Sequence, residues 1–173
     1  MHVSLVDRIL TVSSLKEIRA VKNLSFREDY LRDHFPGFPL MPGALQVEAM
    51  IQAAQWLLRS SLDFPRADFA PVAVSNARYS KYVRPGDSLI LTVSLVKQLE
   101  NGYRFRGTGE VAGERTAQAQ FELVPYSASW TQGVSDQLAN ELLQRQRDLF
   151  ARLSQVPARY PTSSPDQALR VQP

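Results

Sequence analysis

Apolar and polar positions alternate along much of the chain with the period of a β-strand. This alternation predicts two short strands near residues 5–11 and 18–24. It predicts longer strands near residues 71–83, 88–99, 103–113 and 115–124. Because short turns with Gly, Pro and Asn join the later strands, their pairing is predicted to be antiparallel. Two connections are also predicted, a turn of helix over Arg27–Asp33 and a loop over residues 63–71.

A helical period begins at residue 42 and continues to residue 59, and the helix that it predicts is apolar around most of its circumference. Gln46 apart, its polar side chains share one face: Glu48, Gln52, Gln55 and Arg59. A helix of this kind is predicted to be buried, which makes the fold α+β, with a curved antiparallel sheet covering one long helix. The polar stripe has two readings, either a face in contact with water or a functional role for Glu48.

A second helical pattern follows Ser135, a predicted N-cap, and it is amphipathic. Its apolar face contains Leu138, Leu142, Leu149 and Leu153, with Ala139, Leu143 and Phe150 beside them. This helix belongs to a predicted extension over residues 127–173, which follows a main domain over residues 1–126 and ends in a Pro/Ser-rich tail. We expect the leucine face to pack against its own domain or a neighbouring subunit, and binding to a membrane surface is the alternative.

Composition narrows the possible function classes. The chain has 173 residues, of which 44% are hydrophobic and 21% charged, as in an ordinary globular protein of one domain with an appendage. A net charge of +3 is too weak for a dedicated nucleic-acid binder, but it would suit an acidic partner. The absence of cysteine excludes disulfides, thiol nucleophiles and thiolate metal sites. Without an apolar stretch long enough for a membrane helix or a signal peptide, a cytoplasmic location is predicted.

The segment "HFPGFPLMPGALQVEAM", from His34 to Met50, brings unusual chemistry to the start of the first helix. His34 is the only histidine besides His2, and prolines stiffen the chain that follows it. Since Pro42 has no N–H group, the next backbone N–H groups, those of Gly43, Ala44 and Leu45, are predicted to face a ligand. A base, an acid and such a helix end suit proton removal beside a carbonyl, with acid-assisted loss of a β-substituent. A purely structural His34 is the alternative.

The motif "HFPG-x-P-L-M-P-G-x-L-x-x-E" resembles the signature of the 3-hydroxyacyl-acyl-carrier-protein dehydratases of bacterial fatty-acid synthesis, which have the hot-dog fold. Flanking segments such as "SNARYSKYVRPGDSLILTVSLVK" extend the resemblance from about Ser4 to Val124. With Glu at position 48, the chain resembles the general dehydratase branch, whereas the bifunctional dehydratase/isomerase branch typically has Asp.

The resemblance implies a hot-dog fold with an extra C-terminal helix and a role for each residue of the motif. His34 would be the general base that takes the α-proton, and Glu48 the acid that protonates the departing hydroxyl. The Gly43 N–H would bind the thioester carbonyl, and the Leu40 carbonyl would orient the His34 ring. No cofactor is implied, and two isolated histidines supply no cluster of metal ligands.

The resemblance also implies partners. The substrate would be an acyl chain attached through phosphopantetheine to an acidic acyl carrier protein, and Arg78, Lys81 and Arg84 are candidates for docking it. A solvated positive edge is the alternative reading of these three residues. The family further implies a homodimer, assembled into a trimer of dimers, in which His34 of one chain faces Glu48 of the other.

Some features depart from the family pattern. Asp33 stands where the family commonly has Gly, and Phe38 replaces a residue that is usually polar. Three alternative functions stay open: a hot-dog acyl-thioesterase, a non-catalytic acyl-binding subunit, and a dehydratase of a specialised polyketide or lipid pathway.

Overall fold

The structure is a computed structural model that describes residues 4–32, 34, 35, 37–127 and 135–155. Two strands and a 3-10 turn precede the long helix: β1 (Arg8–Ser13), β2 (Glu17–Asn23) and Asp29–Leu31. The helix α1 (Gly43–Ser61) leads into the remaining strands: β3 (Ala67–Tyr79), β4 (Ser88–Leu99), β5 (Gly102–Val111) and β6 (Glu114–Ser127). A second helix, α2 (Asp136–Gln155), ends the described chain.

The six strands form one sheet in the order β1-β2-β4-β5-β6-β3, and every neighbouring pair is antiparallel. The concave face of this sheet packs against α1, so the predicted α+β arrangement is confirmed. Because β1 and β3 are the two outer strands, each leaves one edge without a ladder partner among the described strands.

The sheet holds α1 at close range because small residues on its strands admit the side chains of the helix. A side chain at Gly107 of β5 would lie 2.8 Å from the sulfur of Met50, so only glycine leaves room for the helix there. On β4, Leu89, Leu91 and Val93 are fully buried, in the alternation that the sequence predicts for a strand with one covered face.

Several predicted strand boundaries are wrong. Strand β3 starts at Ala67, inside the predicted loop over residues 63–71, because residues 67–70 pair with the end of β6. Pro71 is tolerated within β3 since the strand lies at the sheet edge, where a missing N–H costs no ladder bond. The same strand ends at Tyr79 rather than near residue 83, because the N–H groups of Ser80 and Lys81 both donate to the Thr116 carbonyl and leave the ladder. Finally, β1 starts only at Arg8.

The extra C-terminal helix is present, and it packs against its own domain. The Leu138 N–H donates to Ser135 Oγ (3.3 Å), as the predicted N-cap requires. The ring of Phe150 lies 6.0 Å from that of Trp56 and 5.6 Å from that of Phe64, centroid to centroid. Leu143 and Leu153 also pack on the core, but Leu138 and Leu149 stay 43% and 46% exposed. The chain's own domain therefore covers only part of the predicted leucine face.

Ion pairs fix the position of α2 as well. Arg147 contacts Asp63 (2.6 Å), its guanidinium lies over the ring of Phe64, and Arg66 contacts Asp136 (2.7 Å). The hydrogen bond from Arg147 holds the pKa of Asp63 below its usual range. Within the described ranges, no helix has both the length and the hydropathy to cross a membrane. Asp33, Pro36 and the predicted tail beyond residue 155 lie outside the described residues.

Candidate active site

Glu48 lies in the second turn of α1, and a hydrogen bond from a neighbouring side chain orients its carboxylate. The side-chain amide of Gln52, one turn later, donates to Glu48 Oε1 (3.0 Å). The amide oxygen of Gln52 accepts the backbone N–H of Leu5 (2.8 Å), which ties this pair to the segment before β1. Glu48 is therefore oriented by a neighbour that is itself anchored outside the helix.

The polar stripe of α1 forms one wall of an open groove of about 700 Å³. Glu48, Gln52, Gln55 and Arg59 all line it, with Asp68 from β3 and Tyr126 from β6. Residues of α2 form the opposite wall. The side chains of the stripe are half-buried along a cavity that begins at Glu48. The stripe is therefore not simply a face of the helix in contact with water.

His34 lies in the loop between the 3-10 turn and α1, and its ring is half-buried. The ring meets that of Phe35 edge to face, with centroids 4.6 Å apart. Phe35 has a φ of 53°, a left-handed conformation that is strained for a residue with a side chain. His34 does not line the groove beside Glu48 within the described residues of one chain. A single chain therefore does not unite the predicted base and acid at this groove.

The helix start provides part of the predicted oxyanion site. A side chain at Gly43 would lie 2.8 Å from the ring of Tyr79, which covers the first turn of α1. The prediction for Leu45 is wrong, because its N–H donates to the Pro42 carbonyl (3.0 Å) in a tight first turn. The N–H groups of Gly43 and Ala44 have no acceptor among the described residues, so they remain available to a ligand.

The loop before the helix is fixed by the backbone of the chain beyond β3. The Met41 N–H donates to the Val83 carbonyl (2.8 Å), and Leu40 is buried beside it. No hydrogen bond joins the His34 ring to the Leu40 carbonyl in the described chain, so that role stays a prediction.

The three predicted docking residues have different surroundings. Lys81 forms an ion pair with Glu114. The guanidinium of Arg84 lies over the ring of Phe38, 4.8 Å from its centroid. Arg78 lines a cavity of about 470 Å³ whose other basic side chains, Arg106 and Arg115, come from β5 and β6. The sequence pattern alone does not indicate that Arg106 and Arg115 belong to this surface, because only strand pairing brings them beside Arg78.

The part of the chain that contains this site is similar to known proteins. The model of the FabA-like domain family matches residues 1–120. The chain belongs to this family. The 3-hydroxyacyl-[acyl-carrier-protein] dehydratase FabZ of Pectobacterium atrosepticum is 42% identical over 117 residues, which are 66% of this chain and 78% of the relative. FabZ of Sodalis glossinidius is 41% identical over 117 residues, again 66% of this chain and 78% of the relative.

A solved structure agrees with the fold. The protein smu.793 of Streptococcus mutans, bound to acetyl CoA, aligns with a TM-score of 0.56 at 16% identity, over 73% of this chain and 93% of that chain. The predicted family, the hot-dog fold and the class of enzyme, a dehydratase, are confirmed by these comparisons. The FabA-like match includes the motif from His34 to Glu48 and ends before α2.

The hydrogen bond to Glu48 predicts that Gln52 is a positioning residue. We expect Gln52→Leu to lower kcat about ten-fold in a dehydratase assay with KM little changed, because the Glu48 carboxyl loses the hydrogen bond that orients it. Gln144→Leu is a matched control, since Gln144 donates to Asp148 (2.9 Å) with the same four-residue spacing on the outer face of α2. Equal effects of the two variants would contradict the prediction.

Proposed function

We propose that the protein removes water from (3R)-3-hydroxyacyl thioesters carried by acyl carrier protein, and so forms trans-2-enoyl thioesters. The observation that carries this proposal is the setting of Glu48, which is oriented by Gln52 at one end of a groove large enough for an acyl group. The FabZ names of the relatives support the choice of substrate. We place the reaction in the cytoplasm, in fatty-acid or related lipid synthesis.

Each group of the site has one task in this elimination. His34 takes the proton from the carbon next to the thioester carbonyl, and the electron pair left behind forms the carbon–carbon double bond. Glu48 gives its proton to the hydroxyl on the next carbon, whose bond to oxygen breaks as water leaves. The N–H of Gly43 donates to the thioester carbonyl oxygen, where negative charge develops during proton removal.

Strand β3 supports a dimer. Residues 71–79 are exposed on both faces of the strand, and they include Val72 and Val74, which are 57% and 49% exposed. A long apolar edge strand of this kind readily pairs with a second strand. We therefore propose that two chains pair through their β3 edges about a two-fold axis, and that such dimers assemble further as a trimer of dimers.

The same pairing supports an active site shared between chains. In an antiparallel pair, the start of one strand lies opposite the end of the other. The start of β3 contributes Asp68 to the groove of Glu48, whereas its end, at Tyr79, covers Gly43 next to the His34 loop. The pair therefore brings the helix start and loop of one chain towards the groove of the other, where His34 meets Glu48.

The catalytic pair gives the first test of the function. We expect His34→Ala and Glu48→Gln each to lower turnover of a carrier-linked 3-hydroxyacyl substrate by at least about a hundred-fold, because both groups act in one elimination. Melting temperatures should stay close to that of the wild type, since both side chains are only half-buried. Near-normal turnover by either variant would exclude the assigned roles.

Hydrolysis of saturated acyl thioesters, without hydration of 2-enoyl thioesters, would favour the thioesterase alternative.

Mixing the two inactive variants tests the shared site. If chains of His34→Ala and Glu48→Gln exchange at random, half of the dimers are mixed, and each mixed dimer has one of its two sites intact. Activity should recover to about a quarter of the wild-type value. Differently tagged chains, captured together, provide the control for exchange. If exchange is demonstrated and activity stays at the level of the single variants, both groups act within one chain.

We also propose that Arg78, Lys81 and Arg84 help to dock the acidic carrier protein, with charge complementarity as the support. Reversing these charges to Glu should raise KM for a carrier-linked substrate and leave KM for a small thioester analogue unchanged. Lys97→Glu is the control, because Lys97 is an exposed cation near the far end of β4. Equal changes with both substrates would argue against docking at these residues.

A further inference from the structure

Helix α2 carries two adjacent apolar faces, of which only one is used to hold it in place. Leu143, Phe150 and Leu153 pack on the core of the domain. Leu142 and Leu149 lie on the neighbouring face and line the groove opposite the polar stripe of α1. Because α2 lies outside the FabA-like match, this wall is an addition to the family domain.

Aromatic and ionic contacts anchor this wall to the domain. The Phe150 ring contacts the rings of Trp56 and Phe64, and Arg147 forms an ion pair with Asp63 at the end of α1. Leu149, which immediately precedes Phe150, therefore faces the groove from an anchored turn of helix. A ligand in the groove would meet this leucine at a defined distance from α1.

The polar side chains of the α1 wall already have partners within the chain. Gln52 bonds Glu48 and Leu5, the Gln55 amide donates to the Phe69 carbonyl (2.7 Å), and Arg59 pairs with Asp68 (2.5 Å). The α2 wall is mixed, with Arg145 and Gln146 beside Leu142 and Leu149, and Trp56 adds an apolar side chain on the α1 wall. The apolar side chains suit a hydrocarbon chain, which needs contact but offers no hydrogen bonds.

The length of the groove agrees with such a ligand. It follows α1 from Glu48 to Arg59, which are eleven residues apart on the helix. At ~1.5 Å per residue this distance is about 16 Å, enough for an extended acyl tail of medium length.

We propose that α2 is a specificity element for the acyl tail: the tail of a medium-chain 3-hydroxyacyl substrate runs from Glu48 along the groove, between Trp56 and the Leu142–Leu149 face of α2. The inference rests on the proposed dehydratase function and adds the determinant of chain length. The protein with its α2 intact should therefore prefer medium-chain over short-chain substrates.

The test compares carrier-linked 3-hydroxydecanoyl and 3-hydroxybutyryl substrates through the ratio of their kcat/KM values. Leu149→Trp fills the groove, and Leu142→Asp places a carboxylate on its apolar wall. Each should lower the decanoyl-to-butyryl ratio about ten-fold or more. Leu138→Trp and Leu138→Asp are the controls, since Leu138 lies on the same leucine face, is about as exposed as Leu149 and does not line the groove. Both controls should keep the wild-type ratio, and using two different substitutions guards against loss of folding in one of them.

The outcomes separate this inference from the proposed function. If the wild type dehydrates both substrates and the groove variants keep its ratio within about two-fold, the acyl tail does not run along α2, and the inference fails while the function stands. If the groove variants alone change the oligomer mass, the leucine wall is a subunit contact, and the inference also fails. If the wild type dehydrates neither substrate, the proposed function and the inference fall together.

Discussion

The architecture depends on the burial of α1, a helix that is apolar around nearly its whole circumference. Such a helix is stable in water only when other elements cover it. The sheet covers one side, and the close approach of Met50 to Gly107 shows how tightly the two layers fit. What the sheet leaves uncovered is the polar stripe that begins at Glu48, and the groove lies there.

The same constraint explains why an acid can be held accurately at this point. Glu48 is part of a rigid, buried helix, and Gln52 links its carboxylate to the backbone of Leu5. His34 has a different kind of support, a loop in which the next residue, Phe35, adopts a strained conformation. Strain of this kind persists only where the surrounding structure imposes it. The proposed acid lies on a helix and the proposed base on a loop, an arrangement that suits the proposed site between two chains.

Helix α2 changes the environment of this site without touching the motif. Its anchoring face replaces solvent over Trp56 and Phe64, and its other apolar face turns the open side of α1 into a groove. The added helix therefore gives the family domain a further wall beside Glu48. The aromatic and ionic contacts that α2 adds, at Trp56, Phe64 and Asp63, lie at the opposite end of α1 from the motif.

The sequence by itself determined the elements whose signals are local. The period of α1, the alternation of Leu89, Leu91 and Val93, the cap at Ser135 and the motif from His34 to Glu48 all follow from neighbouring residues, and the fold class and family follow from them. Tertiary structure decided what depends on distant partners. Pairing with β6 extended β3 into the predicted loop, and packing on Phe64 turned Phe150 inward while it left Leu149 facing the groove. Pairing with β6 also brought Arg115 beside Arg78, and the tight turn at Pro42 engaged the N–H of Leu45. The physical reason is the same in each case: a local pattern states which side chains share a face, but which neighbour covers that face is settled only when the whole chain packs.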